Sequence, residues 1–392
     1  MNLTHNPVIT GVEMMTGSGV GADAAINNIL SDTPVRPNPC LADLDVRQLL
    51  PDRKVLKTIS QTDAVALAAV ARLKEQCNGD QEQSSPWRRG VYVSAQPSTA
   101  DDNQYYFDAV EESQKQVREF GARCMQSKPV TLLIGLPNNV LCYGSMLWNA
   151  KGPNSNYTAV EHCAHISVMQ AARRVGWGKL DLAVAGGFNG HHNNLDTKVL
   201  QANGLYSDAS SLCDGAAFCL LETRQNASAN GRRPFAEVVA WGSAQLGRPP
   251  FNLDDDRSSR FAQAISLAIH KGGISPDDIG LVLAGAARES TAETCELLVL
   301  SRVFAKARGF PALGLFPRVT GDLMQASGIL ELAALNRLYD RGKLPPAIVP
   351  QMPVGVDGNF TTAIDPEKPY VLLTKVSCSG QATCLLVKRE KE

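Results

Sequence analysis

Glu161, His162, Cys163 and His165 crowd one short segment, and each of these side chains could do chemistry. A turn at Gly152-Pro153 and a β-prone run over 155–160 precede them, and a helical run over 163–175 follows. In that run Ile166, Met169, Ala172 and Val175 recur on one helical face. A strand, a tight bend and a buried helix start expose a side chain and set the positive end of a helix beside it, which suits a nucleophile or a base. Glu161 and His165 are spaced to share a helix face, and Glu161 at a helix start could serve as a base or a polar plug. His162 and His165 have the spacing of a metal pair, but no third ligand is offered nearby, so no metal is expected. Cys163 reads as a buried core thiol. His191 and His192 sit in a polar loop and read as exposed.

The elements around this segment must come from a large globular chain. Its 392 residues are 44% hydrophobic and 20% charged, enough for a sizeable core and unlike a disordered composition. A net charge of −1 gives no footprint for nucleic acid or an anionic membrane. No apolar run reaches the roughly 18–20 residues that span a bilayer. The first residues lack the basic and apolar segments of a secretory signal. Ten cysteines without a C-x-x-C pair fit reduced thiols, and the expected compartment is the cytoplasm.

Along the chain, strands are expected at 7–15, 90–94, 180–185, 214–222, 234–244 and 279–284, and helices at 22–30, 60–74, 101–120 and 260–270. Gly17, Gly19 and Gly21 lack the G-x-G-x-x-G spacing of a dinucleotide site, so no cofactor is expected. The strands at 180–185 and 279–284 are short and apolar, as in an α/β protein whose sheet is covered on both faces. A helix at 166–175 leading to a strand at 180–185 echoes a helix at 260–270 leading to a strand at 279–284, which suggests a duplicated α/β unit.

The stretch 152–187 resembles the active-site region of the β-ketoacyl synthases, the thiolase-fold condensing enzymes. Gly152-Pro153, Ala171-Ala172-Arg173, Gly178, Asp181 and Ala185-Gly186-Gly187 match that region without a gap. The family's nucleophilic Cys position is occupied by Glu161. The segment 290–304 resembles the T..ND..E…..VF helix, which puts the first family His at Gly285. Thr320-Gly321 matches the TG of the second motif, and Asp322 replaces its His. The family Lys of that motif falls at Pro317, beside Arg318. The Gly-rich loop near the C-terminus becomes Ser377-Cys378-Ser379-Gly380-Gln381-Ala382. The chain has six His and none beyond His270, so no small shift restores either imidazole.

The resemblance implies a duplicated, five-layer αβαβα thiolase-like fold, with an N-terminal half at 1–225 and a C-terminal half at 234–392. It also implies a degenerate site at Glu161, Gly285 and Asp322 with no catalytic residue expected. Asp322 would face Glu161 as a second acid, one of the two protonated. The implied role is a non-catalytic subunit similar to a chain length factor. Such a subunit pairs with an active β-ketoacyl synthase and meets acyl carrier protein through the complex. It shapes the acyl tunnel in type II polyketide, polyene or fatty-acid-like biosynthesis. The tunnel and partner contact would fall at Val130, Leu132, Leu133, Ile134, Leu136, Asn138 and Asn139. Two other readings stay open. One is a non-condensing enzyme using Glu161, His162 or His165 on an acyl carrier substrate. The other is a homodimeric acyl-binding scaffold.

Overall fold

In the computed structural model the described residues are 5–34, 41, 44–50, 52–95, 104–113, 116–125, 133–158, 164–190, 202, 212–247, 255–286, 290–353, 358–377 and 380–391. Glu161, His162, Cys163, Val130, Leu132, His191 and His192 lie outside them, as do Cys378 and Ser379.

Among the described residues eleven strands form one hydrogen-bonded sheet: β1 (Val8–Thr16), β2 (Gly19–Val20), β3 (Arg89–Ala95), β4 (Ser155–Thr158), β5 (Leu182–Asn189), β6 (Gly215–Glu222), β7 (Ala236–Gln245), β8 (Ile279–Ala284), β9 (Ala312–Leu315), β10 (Tyr370–Val376) and β11 (Gln381–Arg389). The order is β4-β3-β5-β6-β1-β7-β11-β10-β8-β9, and β2 hangs off β1 as a hairpin. The order is two copies of one five-strand pattern. β4, β3 and β5 run parallel, then β6 and β1 antiparallel. β9, β8 and β10 run parallel, then β11 and β7 antiparallel. The copies join where Val8 and Ile9 of β1 face Glu237 and Ala236 of β7.

This topology confirms a duplication but corrects the elements that represent it. β5 corresponds to β10, and β8 corresponds to β3, so the helix–strand pair at 166–185 is not the counterpart of the pair at 260–284. Every βα unit leaves the same apolar-periodic trace, and only strand pairing tells the units apart.

The layers follow from side-chain alternation across each strand. Ala183 and Ala185 of β5, Ala217, Cys219 and Leu221 of β6, Leu281 and Leu283 of β8, and Leu385 and Val387 of β11 all enter one shared core. Their alternates diverge. Leu182, Val184, Ala216, Phe218 and Leu220 enter a second core on the first copy, and Val282, Ala284, Cys384 and Leu386 a third on the other copy. The shared core holds the helices His165–Gly176 and Ile329–Ala333 between the two copies. The outer cores hold Gln61–Gln76 on one side, and Asp255–Lys271 and Thr291–Phe304 on the other. Helix, sheet, helix, sheet, helix is the five-layer α/β architecture expected from the sequence.

Local rules place the ends. Ser60 caps the helix Gln61–Gln76: its hydroxyl accepts the Asp63 N–H at 3.1 Å, and the Asp63 carboxylate accepts the Ser60 N–H at 3.3 Å. The expected helix over 101–120 is instead two, Gln104–Glu112 and Val117–Met125.

Candidate functional site

Four elements meet at the centre of the molecule. The C-terminal end of β5, the start of the helix His165–Gly176, and the ends of β8 and β10 surround the turn at 321–328. That turn comes from the second half of the chain but is anchored in the first. The Cys213 N–H donates to the Asp322 carbonyl at 3.1 Å, and the Ala164 N–H donates to the Ser327 carbonyl at 3.1 Å. Gly187 of β5 lets the turn pack closely: a Cβ there would lie 1.9 Å from the Gln325 carbonyl oxygen. Met324 adopts φ 40, a left-handed conformation a non-glycine residue enters only at a cost of roughly 1–3 kcal/mol. The Asp322 carboxylate compensates by accepting the Met324 N–H at 2.9 Å.

Asp322 and Gly285, the two positions where imidazoles would be expected, both face Lys375 of β10. The Lys375 ammonium lies 2.6 Å from Asp322 Oδ1, and both side chains are almost fully buried. The Lys375 stem runs over Gly285: a Cβ on Gly285 would come within 3.1 Å of Lys375 Cδ. Asp322 is thus paired with a cation, and Glu161, the other acid of the expected pair, lies outside the described residues.

Two further acids sit near Lys375. Glu296, on the helix Thr291–Phe304, is fully buried and accepts the Ala286 N–H at 2.8 Å. Burial pushes its carboxyl up to about 7, against the pull of the Ala286 amide and Lys375. Glu331 accepts the Gly328 N–H at 2.8 Å, and burial raises its carboxyl too. Arg318 serves another acid: its guanidinium lies 2.9 Å from Glu293. Pro317 begins the short helix Pro317–Thr320, so the buried cation comes from Lys375 instead.

His165 opens its helix but points into the core. Its Nδ1 lies 3.0 Å from the Thr383 hydroxyl, Nε2 has no hydrogen-bond partner among the described residues, and the ring packs on Gly328. Burial, with Lys375 nearby, pushes it down to about 3, so the ring is neutral. It offers neither an exposed base nor a metal ligand. Among the described residues no group of three or more His, Cys, Asp or Glu could hold a metal.

Of the expected contact residues within the described set, Leu133 and Leu136 are 44% and 43% exposed, Asn138 is exposed and Ile134 half-buried. Asn139 differs: it is buried, and its amide donates to the Asp63 carboxylate at 3.1 Å and the Leu133 carbonyl at 2.9 Å. Its role is to hold the segment onto the helix Gln61–Gln76. Two neighbours the sequence reading passed over join the surface: Cys142 is exposed and Met146 is 73% exposed, both on the helix Asn139–Leu147. Lys375 was also passed over. A lone Lys in an otherwise apolar strand, LLTKV, was its signal, because a charge in a strand covered on both faces needs a partner.

Residues 235–349 match the family described as β-ketoacyl synthase, C-terminal domain. The chain is 25% identical over 235 residues to the 3-oxoacyl-[acyl-carrier-protein] synthase 2 of Vibrio cholerae, covering 54% of this chain and 56% of that one. It is 21% identical over 361 residues to the Staphylococcus aureus (strain COL) enzyme of the same name, covering 86% of this chain and 84% of that one. Among solved structures, the ishigamide ketosynthase/chain length factor superposes with a TM-score of 0.78 at 15% identity, covering 99% of this chain and 100% of the other. The fold is the thiolase-like ketosynthase fold, and the matches support the β-ketoacyl synthase family.

Proposed function

We propose that this chain is a non-catalytic ketosynthase-like subunit of the chain-length-factor kind. It pairs with an active β-ketoacyl synthase and shapes the acyl tunnel in polyketide or fatty-acid-like biosynthesis. The observation that carries this reading is the Lys375–Asp322 pair lying over Gly285. A condensing site needs a group that moves protons and donors that hold a developing enolate. Here one imidazole position has no side chain and the other is committed to a buried ammonium. Glu161 at the nucleophile position adds to the same reading, since a carboxylate offers no thiolate. His165, neutral and beneath Gly328, gives little to the alternative in which Glu161, His162 and His165 run a non-condensing reaction.

The partner would dock where Leu133, Leu136 and Met146 expose apolar surface. β4 is the outermost strand of its copy and lies beside this surface, with the Asn156 amide donating to the Pro137 carbonyl at 3.1 Å. A sheet edge beside an apolar face invites a protein partner. Val130 and Leu132 extend the proposed contact, and acyl carrier protein would be met through the complex. We place the assembly in the cytoplasm and the two halves at 1–225 and 234–392.

Native mass spectrometry of the chain purified under mild conditions from its own host tests the proposal. A one-to-one complex with a ketosynthase carrying an intact Cys, lost in Met146→Asp/Leu136→Asp, is the expected result. A homodimer without such a partner, or condensing activity of the chain alone, overturns it.

A further inference from the structure

Lys375 has a second consequence. A buried Lys–Asp pair is weak ground for stability, because desolvating both charges offsets their attraction. Asp322 also accepts the Met324 N–H at 2.9 Å and the Ser327 hydroxyl at 3.4 Å, and for these two contacts an Asn oxygen would serve. The carboxylate is required by the ammonium 2.6 Å away. Gly285 is constrained from the same direction, since a Cβ there would lie 3.1 Å from Lys375 Cδ and 3.6 Å from Lys375 Cβ. The third wall is backbone, the Thr374 carbonyl at 3.0 Å. Among the described residues the Lys375 side chain thus runs between the end of β8 and the turn at 321–328, with its stem against Gly285 and its head on Asp322.

The geometry points to Lys375 as a positioning residue that plugs this space, with Gly285, Asp322 and Lys375 forming one interdependent set. The inference rests on the non-catalytic reading of the site and adds that the site is filled by the chain's own cation. A side chain at Gly285 is accommodated more easily when the Lys375 stem is gone, leaving the Thr374 carbonyl as the remaining close neighbour. Removing the stem leaves a void beside a carboxylate, the shape and charge of a short primary alkylammonium ion.

The experiment measures the melting temperature of the full chain while n-propylammonium chloride is titrated, with potassium chloride as control. Lys375→Ala should melt several degrees lower than wild type and recover saturably with n-propylammonium. Wild type and Asp322→Asn/Lys375→Ala should not respond. If Lys375→Ala fails to fold, Gly285→Ala is compared in two charge-balanced backgrounds. It should lower the melting temperature in Asp322→Asn/Lys375→Met, which keeps a stem, and much less in Asp322→Asn/Lys375→Ala. No amine response in a folded Lys375→Ala, or equal cost of Gly285→Ala in both backgrounds, overturns the plug. Those results leave the non-catalytic reading standing. That reading fails separately, if the wild-type chain alone condenses acyl units.

Discussion

Replacing Gly328 with Ala should cost this protein a large part of its stability, and the size can be worked from two contacts. Gly328 sits at φ 97 in the left-handed region, where an L side chain costs roughly 1–2 kcal/mol. A Cβ there would also lie 2.4 Å from His165 Cδ2 and 2.5 Å from its Nε2. The ring cannot easily retreat, because Nδ1 is tied to Thr383 and the surroundings are core. Overpacking of this kind typically costs about 1–3 kcal/mol. The sum is about 2–5 kcal/mol, against a typical total of about 5–15 kcal/mol. Urea unfolding followed by far-UV circular dichroism reads it directly. The decisive comparison is a double-mutant cycle with His165→Ala. Once the ring is gone only the backbone cost remains, so Gly328→Ala should cost about 1–3 kcal/mol less in that background. Additive effects of the two substitutions would refute the contact as the cause.

Other perturbations have equally definite outcomes. Arg232 lies 2.6 Å from Glu222 and 2.5 Å from Glu82, with all three side chains nearly or fully buried. Arg232→Met should therefore lower the urea-derived stability by about 3–5 kcal/mol by stranding two buried carboxylates. The Glu296 carboxyl is raised from 4.5 to about 7 in the fold, so its contribution is fully present below about 4.5 and is lost as pH rises through about 7. His165 has the opposite sign: lowered from 6.5 to about 3, its contribution is present above about 6.5 and lost as pH falls toward 3. Between pH 4.5 and 6.5 the two oppose each other. Glu296→Gln should raise relative stability at pH 8 and steepen the acid-side loss, as seen in melting temperatures from pH 4 to 8. Among Cys77, Cys142, Cys213, Cys219, Cys295 and Cys384, Cys142 alone is exposed, while burial pushes the Cys77 and Cys213 thiols up to about 12 and Cys295 up to about 11. Of these six, a brief native maleimide pulse at pH 8 should label Cys142 first by peptide mapping, and a bound partner should protect it.

The strands were legible in the sequence because they are buried on both faces and bounded by turn residues. The expected strand at 279–284 agrees with β8 at both ends, and the strands at 7–15, 90–94 and 214–222 agree with β1, β3 and β6 to within a residue at each end. The strand expected at 180–185 is shifted, since β5 starts at Leu182 and continues through the Gly pair to Asn189. Those glycines read as a stop, yet they stay in the strand because β6 and the turn at 321–328 press on it. The site was half legible. Gly285 and Asp322 could be found by motif position, and both are where the elements converge. Lys375 could not be paired with them, because its partner lies 53 residues earlier and the link exists only after β10 packs beside β8. Helical spacing correctly put His165 at a helix start, but its neighbours Gly328 and Thr383 come from the other half of the chain.

The position of β1 constrains how the molecule can be made. β1 precedes the other described strands in the chain, yet it ends up in the middle of the sheet, with β6 on one side and β7 on the other. Its contacts reach far along the chain, as when the Thr10 hydroxyl donates to Glu222, 212 residues later. Ordering so long a loop before any contact rewards it is slow. At about 5–20 residues per second, a nascent chain carries β1 without its long-range partner for roughly 10–40 seconds before β6 exists. β1 is therefore a segment that a chaperone would shield during synthesis. A truncation that stops short of Glu222 should bind a holdase in ribosome-associated pull-downs, and one that includes Arg389 should not.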